Sequence, residues 1–227
     1  MLFGSLTHAT FNARPNRFVG LVDVDGRVEE CFIANPGRMR ELLIPGASVY
    51  LKRYESRLRR TRWDLALVDH GGIFVSVDSR VPNDIVEESI EAGLVPEFRG
   101  YRVDRREPGF GDSRLDLQLT KGSGHAWVEV KSCTLVFDGV ALFPDAPTER
   151  GTRHLRVLGE ALRLGRSALV FLIQRGDALS LSPNEATDPA FAEALRGALL
   201  KGVEVYAYDS KVTLEGITIN RRVPVDI

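Results

Sequence analysis

Cysteine is scarce in this chain, and long apolar runs are missing. The 227 residues include only two cysteines, Cys31 and Cys133, and neither belongs to a Cys-x-x-Cys motif or a Cys/His cluster. A disulfide scaffold and a structural zinc site are therefore not expected, and a reducing compartment fits. No apolar stretch approaches the ~20 residues of a membrane span, and the first residues do not resemble a secretion signal. We expect a soluble, cytoplasmic protein.

A strong net charge is also lacking, since the formal value at pH 7 is −1. The net charge alone does not predict a polyanionic partner. The charge is unevenly distributed, however, with six cations and one acidic residue in segment 52–63. This cationic segment contains Lys52, Arg53, Arg57, Arg59, Arg60 and Arg62 and ends at Trp63, while Arg38 and Arg40 follow an earlier turn. It is either a solvated loop or a nucleic-acid-binding surface, because cations follow a phosphate backbone and aromatic rings stack on bases.

Short alternating segments separated by turns occupy the first third of the chain. They predict strands at residues 17–24, 27–34, 48–54, 63–68 and 73–77, with a short helical patch at 39–43. Asp25-Gly26 between the first two is typical of a two-residue hairpin. The pattern predicts an OB-fold-like five-stranded barrel, although other small barrels share it.

From Val81 onward, helices alternate with strands. Helices are predicted at 82–92, 148–164 and 188–201, and strands at 98–106, 113–119, 126–131, 134–142, 168–174 and 203–208. This order predicts an α/β sandwich around a mixed sheet. The change of pattern predicts two domains, residues 1–80 and residues 81–227.

Two carboxylates and a lysine are predicted to meet within the second domain. The loop 121–124 folds the strand that carries Asp116 against the strand that carries Glu129 and Lys131, which share a face because side chains alternate along a strand. A solvated strand face is the simpler interpretation. The alternative is a hydrolytic site, since one or two carboxylates suffice for Mg²⁺ and a lysine beside the ion can act on water or steady negative charge.

Three further residues are weaker candidates. Glu88 borders the apolar face of the first helix and is either a surface residue or a metal ligand. Arg150 and His154 stand four positions apart on the second helix, so both could reach one site and contact phosphate. His154 is equally well interpreted as a satisfied surface histidine.

Five sequence blocks together resemble the sugar fermentation stimulation protein family (SfsA). They run in order over nearly the whole chain: Asn35-Pro36-Gly37-Arg38-Met39, Ser113-Arg114-Leu115-Asp116, Val128-Glu129-Val130-Lys131, Phe143-Pro144-Asp145-Ala146 and the helix start from Glu149 to Leu155. The resemblance implies an OB-like domain followed by a restriction-endonuclease-like domain of the PD-(D/E)xK superfamily. In that pattern the acidic residues match Asp116 and Glu129, the lysine matches Lys131, and the helix glutamate matches Glu88. Ser132 departs from the family, whose members often have Asn there.

These observations predict a Mg²⁺- or Mn²⁺-dependent nuclease that acts on DNA, with RNA as a further candidate substrate. Asp116 and Glu129 would bind the ion, Lys131 would act on the attacking water, and Glu88 would assist. The main alternative is a non-cleaving DNA-binding regulator of sugar-metabolism genes. The set of Asp116, Glu129 and Lys131 argues against it, because a protein that only binds has no need of carboxylates where phosphates approach. Strandedness and oligomeric state stay open.

Overall fold

A computed structural model describes residues 1–55, 60–111 and 113–227, and its first part is a β-barrel. The strands are β1 (Leu6–Asn16), β2 (Val19–Val24), β3 (Arg27–Phe32), β4 (Ser48–Arg53), β5 (Trp63–His70) and β6 (Ile73–Ser76). Neighbours follow the order β3-β2-β1-β4-β5-β6, and a short parallel pairing of β3 with β5 closes the first five strands. Alternate side chains, among them Phe11, Val22 and Leu51, fill the interior.

The OB-fold-like five-stranded barrel is thus confirmed, but its strands are not the predicted five. The prediction lacks β1, in which Thr, His, Asn and Arg interrupt the apolar alternation, and it includes the segment at 73–77, which forms β6 outside the closure. The predicted helix at 39–43 is a series of turns, because Met39 and Leu42 are drawn into the barrel core.

The second part is an α/β sandwich around a mixed sheet, as predicted. Its helices are α1 (Val81–Glu91), α2 (Glu149–Ala161) and α3 (Pro189–Leu200). Its strands are β7 (Arg102–Arg106), β8 (Gly109–Phe110), β9 (Ser113–Arg114), β10 (Leu117–Lys121), β11 (Gly124–Cys133), β12 (Val136–Phe137), β13 (Val140–Phe143), β14 (Arg166–Ile173), β15 (Ser180–Pro183), β16 (Glu204–Val212) and β17 (Ile217–Val223). The main sheet has the order β17-β16-β14-β11-β10-β7, in which β11, β14 and β16 are parallel.

Helices cover both faces of this sheet. On one face α1 packs Ile85 and Val86 against a cluster that includes Val128 and Val130 of β11. On the other face α2 and α3 pack against β14, whose side chains are buried almost throughout. The predicted strand at 98–106 begins only at Arg102, because Pro96–Phe98 forms a 3₁₀ turn. Within the described ranges no helix is long and apolar enough to cross a membrane.

The barrel and the sandwich share a buried boundary. Ala66 and Leu67 of β5 belong to the apolar cluster beneath α1. The hydroxyl of Ser76 donates to Oε1 of Gln174 at 2.9 Å, and the Asp145 carboxylate accepts the N–H of Met39 at 3.1 Å. Apolar contacts and hydrogen bonds thus join the two parts, and a cleft with walls from both lies between them.

Candidate functional site

The hairpin of β10 and β11 brings the two predicted carboxylates together. Leu117 pairs with Val128, so Asp116, immediately before β10, lies beside the next residues of β11. Its Oδ2 accepts the N–H of Val130 at 2.7 Å, and Oδ1 accepts from Nδ2 of Asn83 at 2.9 Å. Val130 packs into the core beneath α1, so Glu129 and Lys131 share the opposite side of the strand, as the alternation predicts.

Glu129 is buried, with a relative exposure of 2%, and its two oxygens differ. Oε1 accepts from Nζ of Lys131 and contacts Nδ1 of His154. Oε2 is buried and has no hydrogen-bond partner among the described residues. Burial alone would raise the pKa of Glu129, but the charge of Lys131 and the hydrogen bond from His154 outweigh it, so the pKa lies below its ordinary value. Glu129 is therefore ionised.

The pKa of Asp116 is shifted in the opposite direction. Burial, and next the charge of Glu129, raise its pKa above the ordinary value, although the N–H of Val130 and the charge of Lys131 oppose the shift. Two acidic groups thus compete for the positive charge of one lysine. A bound cation would offset the repulsion between the carboxylates of Asp116 and Glu129.

The donor set fits a hard divalent cation. Asp116 and the unpartnered Oε2 of Glu129 supply carboxylate oxygens, and Mg²⁺ binds through one or two carboxylates while it keeps several waters. In the part of the chain that the structure describes, no group of three or more His, Cys, Asp or Glu forms a ready cage. With two carboxylates as its ligands from the chain, such an ion would share its coordination with water.

The binding of this ion should depend on pH through Asp116. Because the pKa of Asp116 is raised and that of Glu129 is lowered, acidification protonates Asp116 first. We expect the apparent affinity for Mn²⁺ to fall by about tenfold for each pH unit below the pKa of Asp116, since one proton competes with the metal. Calorimetric titration of the parent at several pH values measures this slope.

Asp104→Asn, at an exposed position of β7, is the matched control and should keep the parental slope. Asp116→Asn should weaken Mn²⁺ binding at neutral pH and remove the slope. An affinity that does not change on acidification would show that Asp116 is not a ligand.

Asp116, Glu129 and Lys131 line the large cleft between the barrel and the sandwich. The volume of this cleft is about 870 Å³. The barrel contributes Arg17, Asn35, Pro36 and Gly37, and the connector between β6 and α1 contributes Arg80. The sandwich contributes, among others, Asn83, Asp116, Glu129, Lys131 and Arg150. Arg14 fixes the barrel side, because its guanidinium donates to the carbonyls of Gly37 at 2.8 Å and of Asn35 at 3.0 Å. The reactive groups therefore lie in a recess with walls from both parts.

His154 does not lie where a phosphate would contact it. Arg150 lines the cleft, and its Nε donates to Nε2 of His154 at 3.3 Å, so the two side chains meet as predicted. The His154 side chain, however, is only 3% exposed. Because Nε2 of His154 accepts a hydrogen bond from Arg150, the ring proton of His154 lies on Nδ1. Nδ1 donates this proton to Oε1 of Glu129. His154 thus orients Glu129, and the structure does not expose it for the predicted contact with phosphate.

The structure does not bring Glu88 to the site, because α1 presents Asn83 there instead. The Glu88 carboxylate is 57% exposed and pairs with the amino group of Met1 at 3.1 Å. Asn83 and Glu88 are five positions apart and so point in directions roughly 140° apart around the helix. Sequence reasoning missed Asn83; the available signal was its place in the first turn of a helix that begins beside the strand hairpin.

The cationic segment is partly neutralised and lies next to the cleft. Arg53 pairs with Glu55 at 3.7 Å, and Arg60 pairs with Glu30 at 3.3 Å. The guanidinium of Arg53 lies 6.0 Å from the ring centre of Trp63, and Arg62 is exposed. Lys52 lines a smaller groove that shares Arg80 and Asp84 with the cleft. Arg57 and Arg59 lie outside the described residues.

Arg38 and Arg40 border the cleft on another side. With Arg14 they line a groove that shares Arg17, Pro36, Gly37, Ala146 and Pro147 with it. Both side chains are exposed, and no ion pair is formed by either of them within the described residues. Their charge is available to an anionic partner, in contrast to that of Arg53 and Arg60.

Ser132, next to Lys131 on β11, takes part in a chain of hydrogen bonds that reaches the barrel. Its hydroxyl accepts from Nε2 of Gln174 at 2.9 Å, and Oε1 of Gln174 accepts from Ser76 of the barrel. Gln174 is fully buried. The Ser132 hydroxyl therefore has a hydrogen-bond partner, and it connects the Lys131 strand to the barrel.

The fold and site define a class of protein, an OB barrel joined to a restriction-endonuclease-like α/β domain. A family model described as "SfsA N-terminal OB domain" matches residues 13–77, and one described as "Sugar fermentation stimulation protein RE domain" matches residues 80–216. The chain belongs to the sugar fermentation stimulation protein family.

Curated relatives and a solved structure agree with this assignment. A "Sugar fermentation stimulation protein homolog" of Moorella thermoacetica is 47% identical over 225 residues, which are 97% of this chain and 96% of the relative. A homolog of the same name from Caldanaerobacter subterraneus is 45% identical over 216 residues, or 95% of this chain and 94% of that one. The structure of Pyrococcus furiosus SfsA in complex with Ca²⁺ is 35% identical, with a TM-score of 0.93 over 100% of this chain and 98% of that chain.

Proposed function

We propose that this chain is a Mg²⁺- or Mn²⁺-dependent nuclease that hydrolyses phosphodiester bonds in DNA, with RNA as a second candidate substrate. One observation carries the proposal: Asp116, the unpartnered Oε2 of Glu129 and Lys131 converge on one wall of a cleft that also exposes arginines. The binding of Ca²⁺ by the Pyrococcus furiosus relative supports a divalent-cation site.

The residues of this chain would divide the work as follows. Asp116 and Glu129 would hold the ion, which when bound supplies positive charge to the phosphoryl oxygens. Asn83 orients Asp116, and His154 orients Glu129. Lys131, with a side chain 13% exposed, would direct the attacking water and steady the negative charge that develops. Arg150 would bind a phosphate oxygen.

Nucleic-acid binding would fall mainly to the barrel and its edge. Arg38 and Arg40 supply unpaired charge, and Lys52, Arg53, Arg60 and Arg62 supply charge that Glu30 and Glu55 reduce. We propose that residues 1–80 bind the substrate and residues 81–227 cleave it. Binding should therefore weaken with salt as counterion release becomes less favourable.

The proposal is tested by metal removal. Purified protein is incubated with labelled single- and double-stranded DNA and with RNA, in chelator, Mg²⁺ or Mn²⁺. We expect cleavage only with metal, and its full return when excess Mg²⁺ or Mn²⁺ is added to the chelated sample, because the carboxylates alone repel a phosphate.

Two outcomes would contradict the proposal. Cleavage that persists in chelator and in Asp116→Asn would place the reaction elsewhere. Tight binding without cleavage of any substrate would favour the non-cleaving DNA-binding regulator.

A further inference from the structure

Two phenylalanines of the barrel stack at its surface, outside the apolar core. Phe18 lies between β1 and β2, and Phe32 ends β3. Their ring centres are 6.3 Å apart and their planes differ by 26°. Phe18 is 44% exposed, so one member of this aromatic pair presents its ring to solvent. An exposed aromatic face that a second ring supports is available for a base to stack on.

The aromatic pair lies at the edge of the cleft. Arg17, directly before Phe18, lines the cleft. Arg80 also lines it, and its guanidinium carbon lies 5.8 Å from the ring centre of Phe32. Ion pairs of Arg80 with Asp64 at 2.9 Å and with Asp78 hold that guanidinium in place. The pair thus lies next to the cleft, through the contact of Phe32 with Arg80 and through Arg17, the chain neighbour of Phe18.

Unpaired positive charge surrounds this edge. Arg17, Arg38 and Arg40 are exposed and line one continuous groove, and the described ranges contain no ion pair to any of the three. Arg106, on the other side of the cleft, is neutralised by Asp84 and Glu87. Arg17, Arg38 and Arg40 therefore offer a polyanion positive charge at the barrel edge of the cleft, where Arg17 directly precedes Phe18. We name Arg17, Arg38 and Arg40 the cationic rim.

We propose that the aromatic pair is the stacking site for an unpaired base, and that the substrate is a single strand whose backbone follows the cationic rim into the cleft. The surface combines the two parts of such a site, an accessible aromatic face and cations that follow the backbone. A closed duplex fits less well, because its bases are stacked internally and offer no free face. The direction of the strand toward Lys131 rests on the proposed nuclease function, whereas the stacking site does not.

Equilibrium binding in chelator tests the proposal without any need for cleavage. The probes are a labelled oligothymidine, an oligouridine of the same length, and a hairpin duplex with loops at both ends so that no terminal base pair is exposed. We expect Phe18→Ala to weaken binding of the single strands by about tenfold, as for loss of one base–aromatic contact. Binding of the closed duplex should change less than twofold.

Matched variants separate stacking from other causes. Phe137→Ala removes a more exposed phenylalanine, on β12 and outside the residues that line the cleft, and should bind like the parent. Phe18→Leu keeps the apolar contact with Phe32 but lacks a π-face, so it should melt like the parent and bind like Phe18→Ala. Phe18→Trp should restore binding. The salt slope should keep its parental value in Phe18→Ala and fall by about one in Arg17→Ala.

Three results would overturn the proposal: parental affinity of Phe18→Ala for single strands, equal losses for single strands and the closed duplex, or parental binding by Phe18→Leu. Failure of the nuclease proposal gives a different result, in which the parent cuts nothing while binding still depends on Phe18.

Discussion

Replacement of Lys131 by methionine should lower cleavage at saturating substrate by about 100- to 1,000-fold, the usual cost of losing one group that stabilises charge at the reacting centre. Methionine keeps the length of the side chain but removes the ammonium group that donates to Glu129 and faces the cleft. Loss of this charge should also raise the pKa of Glu129, which Lys131 holds down. Single-turnover cleavage across a range of pH measures both effects.

The control for this change is Lys211→Met, at an exposed position of β16 outside the cleft, which should cleave like the parent. Far-UV circular dichroism and thermal melting show whether Lys131→Met is folded. In Lys131→Met, Glu129 still has His154 as a hydrogen-bond partner, so we expect the fold to survive. A folded Lys131→Met that turns over at the parental rate would exclude Lys131 from the reaction.

Replacement of Gly37 by alanine should destabilise the protein by about 1–3 kcal/mol, the usual cost of overpacking. A Cβ at this position would lie 2.5 Å from Oδ2 of Asp145 and 2.9 Å from Oδ1 of Asn35. Both acceptors are engaged, Asp145 with the N–H of Met39 and Asn35 with the N–H of Gly37, so neither can move without loss of a hydrogen bond. Thermal unfolding should shift down by about 2–4 °C for each kcal/mol.

The matched control is Gly197→Ala, which should change the stability in the opposite direction. Gly197 is in α3, and among the described residues no atom beyond the backbone of its own helix would lie within 4 Å of an added Cβ. Gly197→Ala should therefore stabilise the protein by about 0.5–1 kcal/mol. Gly37→Ala should also slow cleavage, because it displaces the barrel side of the cleft. Equal melting temperatures for Gly37→Ala and the parent would show that this contact with Asp145 does not hold the two parts together.

Local patterns predicted the chemistry of the site better than its surroundings. Period-2 alternation correctly placed Glu129 and Lys131 on one side of β11, because that rule depends only on backbone geometry. The position of Glu88 depends on how α1 is rotated against the sheet. The apolar residues of α1 alone do not decide whether Glu88 or Asn83 faces the site. His154 looked like a surface residue, but α2 buries it beside Leu155.

The larger features needed tertiary information. β1 is held by its pairing with β2 and β4, which its own polar sequence does not reveal. The cleft joins Gly37 to residues more than a hundred positions later in the chain, such as Asp145, and no local pattern reports such a contact. The aromatic pair likewise depends on the register of β2 with β3, which sets Val19 opposite Phe32.

Residues 77–80 alone connect β6 to α1, and they are tied to the barrel. The N–H of Val77 donates to the carbonyl of Ala66 at 3.0 Å, that of Ser79 donates to Ala34 at 3.0 Å, and Asn35 donates to the carbonyl of Val77 at 2.9 Å. A hinge rotation would have to break these bonds. Because these bonds hold the connector to the barrel, and Ser76 and Gln174 join the barrel to the sandwich, we expect the opening between the two parts to keep one width and to select the substrate of the proposed nuclease by its thickness.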